Sequence, residues 1–358
     1  MRFLFKTRYQ DDLRLFRHGG QAFWYGLLAV ALLALPAVFP EYFVSQLVFV
    51  WIYSILGLGL MLLTGYTGQV SMGHAAFLAM GAYAEAWLQR LGCPFLLSLP
   101  AAALIAGLTG VVVGLPALRV RGMYLAIATM AFGFIVEEGI TRAESLTGGN
   151  SGTTLTGVRI LGLDCGGETA FYYLCLAILA LAVLGVMNLL RSPTGRAFIA
   201  IRDSEVSAQS MGVHLARYKT IAFALSAALA GIAGALYAHK LRFLSPEQFT
   251  FLQSVEMLIM IVVGGLGSIH GAVFGAAFWV LTQQLIVSAK DWLPPEIGQQ
   301  TGLQPTVFGL VLVATVLFEP MGIYGRWLKI RLFFELFPFY RRGMFKRQKT
   351  YFKSERLK

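Results

Sequence analysis

Four glutamates interrupt apolar stretches of this sequence, where a charged side chain is unusual. They are Glu85, Glu137, Glu138 and Glu256. A charge in hydrocarbon is costly, so an ionisable residue in such a stretch marks a functional position by default. Glu137 and Glu138 lie near the end of their apolar stretch, so the preferred interpretation places both at the solvated membrane interface. Nothing in the four resembles the acidic and arginine relay of an ion-coupled carrier, which lowers the case for that class.

Two glycine-rich segments separate apolar stretches. Residues 64–74 read Thr-Gly-Tyr-Thr-Gly-Gln-Val-Ser-Met-Gly-His, and a similar glycine spacing returns at 264–271 as Gly-Gly-Leu-Gly-Ser-Ile-His-Gly. Broken helices are tolerated in membranes where the freed amides line a cavity, and a half-helix N-terminus can face a substrate carboxylate. The residues predicted to line such a path are Gly65, Gly68, Gln69, Ser71, Gly73, His74, Gly264, Gly267 and Ser268. Close helix packing is the alternative for each glycine, and a hydrogen bond to a neighbouring helix is the alternative for the histidine.

A polar, basic segment at 191–218 separates two further apolar stretches. Its Ser192-Pro193 pair ends the preceding helix, because proline cannot continue the hydrogen-bond ladder. Residues 196–211 predict one short helix that stops at Gly212. A connection of this length with its own helix usually has a function. Two interpretations remain: a lever gripped by a cytoplasmic motor, and a basic helix lying on the membrane surface.

The amino-acid composition indicates which class of protein carries these motifs. Of the 358 residues, 57% are hydrophobic and 13% are charged, whereas about a quarter of an average sequence is charged. The apolar stretches are long enough to cross a bilayer. They fall near 22–40, 46–64, 71–89, 95–116, 123–141, 171–190, 219–239, 255–266, 271–289 and 303–320. The sequence therefore predicts an all-α polytopic membrane protein with about ten transmembrane helices, including broken or re-entrant segments. For the short eighth stretch, a tilted, a paired and a re-entrant segment all remain open.

Charge distribution predicts the orientation. Of the 29 lysines and arginines, 23 lie in four segments that a ten-span count places on one side: 1–21, 117–122, 191–219 and 326–358. The positive-inside rule puts that side in the cytoplasm, with both termini. We expect a basic N-terminal tail at 1–21, a transmembrane domain at 22–325 containing the loop 191–218, and a basic tail at 326–358. The C-terminal tail is typical of a segment lying on anionic lipid, and docking to a partner is the alternative. Nucleic acid is not an expected partner.

No motif for catalysis or for holding a cofactor is present. The sequence lacks a G-x-x-x-x-G-K-[ST] phosphate loop, an H-E-x-x-H pair and a G-x-S-x-G turn, and its three cysteines lack metal-ligand spacing. We expect no catalytic residue, cofactor or metal in this chain. If the protein transports actively, the energy comes from another subunit.

The motifs in order resemble one family. Five segments look like the LivM-type permeases of branched-chain amino-acid importers: residues 46–84, residues 115–134, Thr147-Gly-Gly-Asn-Ser-Gly152, the 192–212 loop and Val263-Gly-Gly-Leu-Gly-Ser268. The resemblance covers about residues 25–325. It implies a bacterial inner-membrane complex with a sister permease, two ATP-binding subunits that bind and hydrolyse the ATP, and a periplasmic substrate-binding protein.

The resemblance also implies that the 192–212 loop couples the permease to the ATPases. Its candidate residues are Arg196, Arg202, Glu205, Ala208 and Gly212. The wider superfamily carries Glu-Ala-Ala…Gly here, and this chain keeps Glu205 and Gly212 but not the paired alanines. We expect Glu205 to face solvent until a partner docks. Rival readings are the same machinery carrying urea, short amides or aromatic acids, and a secondary carrier or channel acting by itself.

Overall fold

The computed structural model describes residues 19–117, 120, 122–160, 163–164, 166–290 and 302–336. Most of the predicted N-terminal tail, much of the basic loop 117–122 and the tail beyond residue 336 lie outside the described residues.

The described chain is almost entirely helical. Its helices are α1 Gly19–Val38, α2 Glu41–Leu60, α3 His74–Arg90, α4 Phe95–Ala117, α5 Met123–Arg142, α6 Glu144–Thr147, α7 Glu168–Arg191, α8 Pro193–Asp203, α9 Glu205–Ser210, α10 Leu215–Leu241, α11 Phe251–Gly264, α12 Ile269–Lys290, α13 Leu303–Phe318 and α14 Gly322–Leu336. A π-helical turn, Met61–Tyr66, continues α2, and 3-10 turns lie at Gly149–Ser151 and Pro246–Phe249. Two-residue strands form two antiparallel pairs: β1 Thr153–Thr154 with β4 Phe243–Leu244, and β2 Arg159–Ile160 with β3 Leu163–Asp164.

The all-α prediction is confirmed, but the count of about ten spans is not. Within the described residues, six helices are long and apolar enough to cross a membrane: α2 with its π turn, α4, α5, α7, α10 and α12. A seventh span results if α13 and α14, which meet at a bend of 42°, are counted together. The apolar parts of α1 and α11 are shorter, and α3 has 17 residues. The protein is a helical membrane protein.

Helix α10 forms the centre of the core and packs closely against α2, α3 and α4. Small residues permit this approach. A methyl group added to Gly231 would lie 2.5 Å from the Cβ of Ala106 on α4, and one added to Gly59 would lie 2.7 Å from the carbonyl oxygen of Ser226. Close backbone approach of this kind is how helices associate inside a membrane, where the hydrophobic effect does not drive them together.

Connections gather at two ends of the helical core. The end that we call the break end carries the segments 61–73 and 265–268, helices α8 and α9, and the start of α14. The end that we call the strand end carries the segments 89–94, 144–160 and 242–250. Here Gln89 and Thr156 exchange two hydrogen bonds of 3.1 Å, and β1 pairs with β4.

Candidate coupling and translocation site

The loop between α7 and α10 folds as two helices, so the prediction of one helix over 196–211 is wrong. Helix α8 starts earlier, at Pro193, and Ser192 caps it by accepting a hydrogen bond from the amide of Gly195. Ser204 is extended, with φ −163° and ψ 114°, and its side chain caps α9 by accepting from the amide of Ser207. Serine restarts the helix here because its hydroxyl replaces a missing backbone acceptor.

Gly212 ends the second helix, as predicted. Its φ is +84°, a left-handed conformation that glycine adopts without a steric penalty. The amide of Gly212 donates to Gln209 O, and the amide of Val213 donates to Ala208 O, both at 3.0 Å. These are the reversed hydrogen bonds of a glycine C-cap. The turn aims the chain back into the core helix α10.

One side of α8 is buried and the other contributes to a surface groove. Phe198 and Ile201 are buried, and the Phe198 ring lies 6.5 Å from that of Tyr218 on α10. Between α8 and α9 lies a groove of about 460 Å³, whose lining includes Ala197, Ala200, Ala208 and Met211. Met211 and the nearby Val206 are 87% and 72% exposed. Exposed apolar side chains beside a groove are typical of a protein-binding surface.

Glu205 is not the solvent-facing residue that the sequence predicted. One of its carboxylate oxygens accepts a hydrogen bond of 2.6 Å from the Lys219 ammonium group, and the side chains are 24% and 4% exposed. Lys219 lies in the second turn of α10, where its charge is almost fully removed from water. A buried lysine requires a counter-charge, so Glu205 joins α9 to α10.

Arg202 joins the loop to both glycine segments. Its Nη1 donates to the carbonyl oxygen of Gly65 at 3.2 Å, while Nε and Nη2 both donate to Asp203. A methyl group added to Gly68 would lie 3.2 Å from the Arg202 Cγ, and one added to Gly267 would lie 3.4 Å from its Nη1. The guanidinium is thus held at the meeting point of three chain segments.

The two glycine segments also contact each other directly. The amide of Gly267 donates to the Met61 sulfur at 3.1 Å, and a methyl group on Gly65 would lie 2.7 Å from the Gly267 nitrogen. Gly68 and Gly267 have φ of +71° and +80°. These contacts bring the two segments together at the break end. We call Gly65, Gly68, Gly267 and Arg202 the junction.

Ser71, Gly73 and His74 lie apart from the junction, at the start of α3. His74 is fully buried, with Nδ1 3.1 Å from the Ser71 hydroxyl and Nε2 2.8 Å from the Ser226 hydroxyl. Because Ser226 donates its proton to Gly59 O, Nε2 carries the imidazole proton and Nδ1 accepts from Ser71. His74 therefore binds Ser226 on the neighbouring helix α10, and Ser226 in turn binds α2 through the Gly59 carbonyl oxygen.

The remaining predicted residues occupy three other places. Ser268 accepts from the Gly271 amide at the start of α12, and Gly264 packs against Gly275 within the α11–α12 hairpin. Arg196 donates to Arg191 O near the start of α8. Gln69 is buried, and within the described part of the chain neither polar atom of its amide has a hydrogen-bond partner.

Sequence reasoning missed a polar cluster inside the core. Glu85 Oε1 accepts from the Ser98 hydroxyl at 2.6 Å and lies 2.9 Å from His239 Nε2, and the glutamate and histidine side chains are both 1% exposed. The cluster ties α3, α4 and α10 together near the strand end. Glu85 was visible as a glutamate in an apolar stretch, but its partners lie 13 and 154 residues away along the chain.

Comparisons with known proteins agree with this architecture. Residues 42–317 match the family described as branched-chain amino acid transport system / permease component. The chain is 34% identical over 327 residues to the high-affinity branched-chain amino acid transport system permease protein LivM of Escherichia coli (strain K12), covering 83% of this chain and 74% of that protein. LivM of Salmonella typhimurium is 34% identical over 297 residues, or 76% and 67% of the two chains. BraD of Pseudomonas aeruginosa is 22% identical over 291 residues, or 76% and 92%.

No solved structure matches the chain. The helices identify a helical membrane protein, and the family match identifies it as a transport subunit. The chain belongs to the family of LivM-type permease components of branched-chain amino-acid importers.

Proposed function

We propose that this permease translocates branched-chain or related amino acids across the bacterial inner membrane as part of an ATP-binding-cassette importer. Its partners are a sister permease, two ATP-binding subunits and a periplasmic substrate-binding protein. The names of its relatives support the amino-acid cargo. Urea, short amides and aromatic acids are the rival cargoes.

The junction carries the mechanistic part of the proposal. ATP-driven closure of the partner subunits moves α8 and α9, the groove between them takes a surface element of an ATPase, and Arg202 passes the movement to Gly65 and Gly267. The 3.2 Å hydrogen bond from Arg202 to Gly65 O supports this route, because it links the loop to a predicted path segment without an intermediate. Access then alternates as the two breaks separate and close.

The proposed topology has ten crossings with both termini cytoplasmic. Three observations support it. Tyr25, near the start of α1, hydrogen-bonds to His270 at the break end. The start of α14 lies at the same end, where a methyl group on Gly265 would be 2.9 Å from the Tyr324 Cβ. Helices α1, α3 and α11, although short, each begin near one end and finish near the other.

Surface substitutions at Met211, which lines the groove, and at the nearby Val206 test the coupling proposal. Met211→Asp and Val206→Asp place a charge on an exposed docking face, so we expect normal membrane abundance with loss of ATPase co-purification and of binding-protein-stimulated hydrolysis. Leu146→Asp, exposed at the strand end, is the matched control and should keep both. If both variants keep full binding-protein-stimulated ATP hydrolysis, the loop does not bind the ATPase.

The carrier alternative and the topology have separate tests. Leucine uptake by the purified chain in liposomes without ATP or partners would establish a carrier instead. Reporter fusions at 196–212 and after Lys358 should score cytoplasmic, and one within 147–165 should score periplasmic. A periplasmic C-terminus would overturn the ten-crossing topology.

A further inference from the structure

Helix α11 carries a polar face inside an otherwise apolar helix. Gln253 and Glu256 are three residues apart, so their side chains are neighbours on one side of the helix. Both are partly buried. Neither belongs to the junction, which lies at the other end of α11.

These two residues present acceptor oxygens that have few donors among the described residues. The one hydrogen bond of the Glu256 carboxylate to a described residue comes from Gln304 Nε2, at a long 3.4 Å, and no described lysine, arginine or histidine lies within ion-pair distance. Gln253 Oε1 is buried and has no hydrogen-bond partner among the described residues. A partly desolvated carboxylate without a counter-charge is costly, so its retention requires a compensating interaction.

Three other glutamates of the spanning helices have a basic partner within 3 Å. Glu85 binds His239 and Ser98, Glu138 pairs with Arg142, and Glu168 pairs with Lys240. Glu137 lies beside the pair formed by Glu138 and Arg142. Among the described residues, Glu256 differs because it interacts with the Gln304 amide and the Tyr53 phenol rather than with a cation.

Aromatic side chains surround the same position. Tyr53 is partly buried, makes polar side-chain contacts with Tyr237 and Gln253, and interacts electrostatically with Glu256. The Tyr237 ring lies 6.3 Å from the Tyr53 ring and 6.2 Å from the Phe249 ring. Ring faces attract a cation and also accommodate an aliphatic side chain. The cluster thus combines the Glu256 carboxylate, a Gln253 amide oxygen without a hydrogen-bond partner among the described residues, and several aromatic rings.

A primary ammonium group matches this combination. It brings one positive charge and three N–H donors, which would satisfy the Glu256 carboxylate and the buried Gln253 oxygen. Urea and simple amides bring no charge to the carboxylate. Resting on the proposed function, we propose that Glu256 and Gln253 form a subsite for the ammonium group of the transported amino acid.

The test uses the complete reconstituted importer. Initial leucine uptake is measured for Glu256→Gln, Glu256→Asp and wild type, together with membrane abundance, ATPase co-purification and basal hydrolysis. We expect Glu256→Gln to lower uptake about tenfold, the loss that follows removal of a charged hydrogen bond, while abundance, co-purification and basal hydrolysis stay unchanged. Glu256→Asp should restore most uptake, and the matched control Glu137→Gln should keep all of it.

A thiol variant gives a second readout. In a background with Cys93, Cys165 and Cys175 replaced, Glu256→Cys should react with a water-soluble methanethiosulfonate reagent. Leu181→Cys, on the exposed surface of the apolar helix α7, should not react. Wild-type uptake in Glu256→Gln, or an unreactive Glu256→Cys, would overturn the subsite. Failure of the proposed function looks different: uptake would no longer require ATP, whatever residue stands at position 256.

Discussion

The two ends of the helical core are built on different principles. At the strand end, side chains and short strands bind one segment to another: Gln89 to Thr156, β1 to β4, and Lys240 to both Ser45 and Glu168. At the break end, glycines with positive φ meet around one arginine, and a loop with an exposed apolar groove lies beside them. Many independent bonds resist local opening, whereas few contacts permit it. We therefore expect the strand end to act as a fixed frame and the break end to move.

The largest expected effect is at the ion pair that holds α9 to α10. Glu205→Lys removes the counter-charge of buried Lys219 and adds a second cation, which should destabilise the loop by about 1–3 kcal/mol and abolish transport. The measurement is thermal stability and uptake of the purified complex. Because the variant disturbs packing as well as docking, its failure to transport would not by itself show uncoupling.

Charge reversal controls that prediction. The double variant Glu205→Lys with Lys219→Glu should recover part of the lost stability, since the pair is restored in the opposite sense. No recovery would show that the ion pair is not what joins the two helices.

The next largest effect is expected at the junction glycines. Gly68→Leu and Gly267→Leu force a branched side chain into a left-handed conformation, at a cost of about 1–2 kcal/mol before any clash, and both added side chains would meet Arg202. We expect nearly complete loss of transport at reduced but measurable abundance. Gly185, which has nothing within 4 Å of an added methyl group, is the control for Leu substitution. Normal transport in abundant Gly68→Leu and Gly267→Leu variants would show that the breaks are tolerant turns.

Arg202→Ala should separate transport from hydrolysis. It removes the hydrogen bond to Gly65 O but leaves the α8–α9 groove intact, so ATPase co-purification should persist while leucine uptake per ATP hydrolysed falls about tenfold. Arg202→Lys should recover part of this ratio because one donor remains. An unchanged ratio in Arg202→Ala would remove the junction from the coupling route.

The smallest effect is expected at the strand end. Gln89→Ala removes two hydrogen bonds in an exposed position and should lower stability by about 1 kcal/mol or less, with uptake per ATP unchanged. A strong effect on that ratio would mean that the strand end also moves, and the contrast between the ends would fail.

Local features of this fold could be predicted from the sequence. Helical stretches followed from long apolar runs, and Gly212 was identified as a stop because glycine takes a left-handed cap. The division at Ser204 was missed, since a mid-segment serine is a weak signal until its hydroxyl is seen to cap a new helix. The exposure of Glu205 was mispredicted because Lys219, its partner, belongs to the next helix.

Contacts between residues far apart along the chain could not be predicted from the sequence. Arg202 and Gly65 are 137 residues apart, and Glu85 and His239 are 154 apart. Each residue was ordinary in its own segment, and only packing gave it a partner. The repeated glycine spacing did indicate that residues 64–74 and 264–271 are related, but not that they touch.

The π-helical turn at Met61–Tyr66 has a consequence for register. A π turn holds one residue more than the α-helical turn it replaces. Converting it to α-helix would rotate everything beyond it by about 100° and shift it by about 1.5 Å, which is enough to move Gly68 off Arg202. The π turn therefore contains one residue more than an α-helical turn would need, directly before the junction. We expect deletion of a single residue within 61–66 to preserve membrane abundance better than a deletion within 75–80, because α3 is a regular α-helix there and has no extra residue to lose.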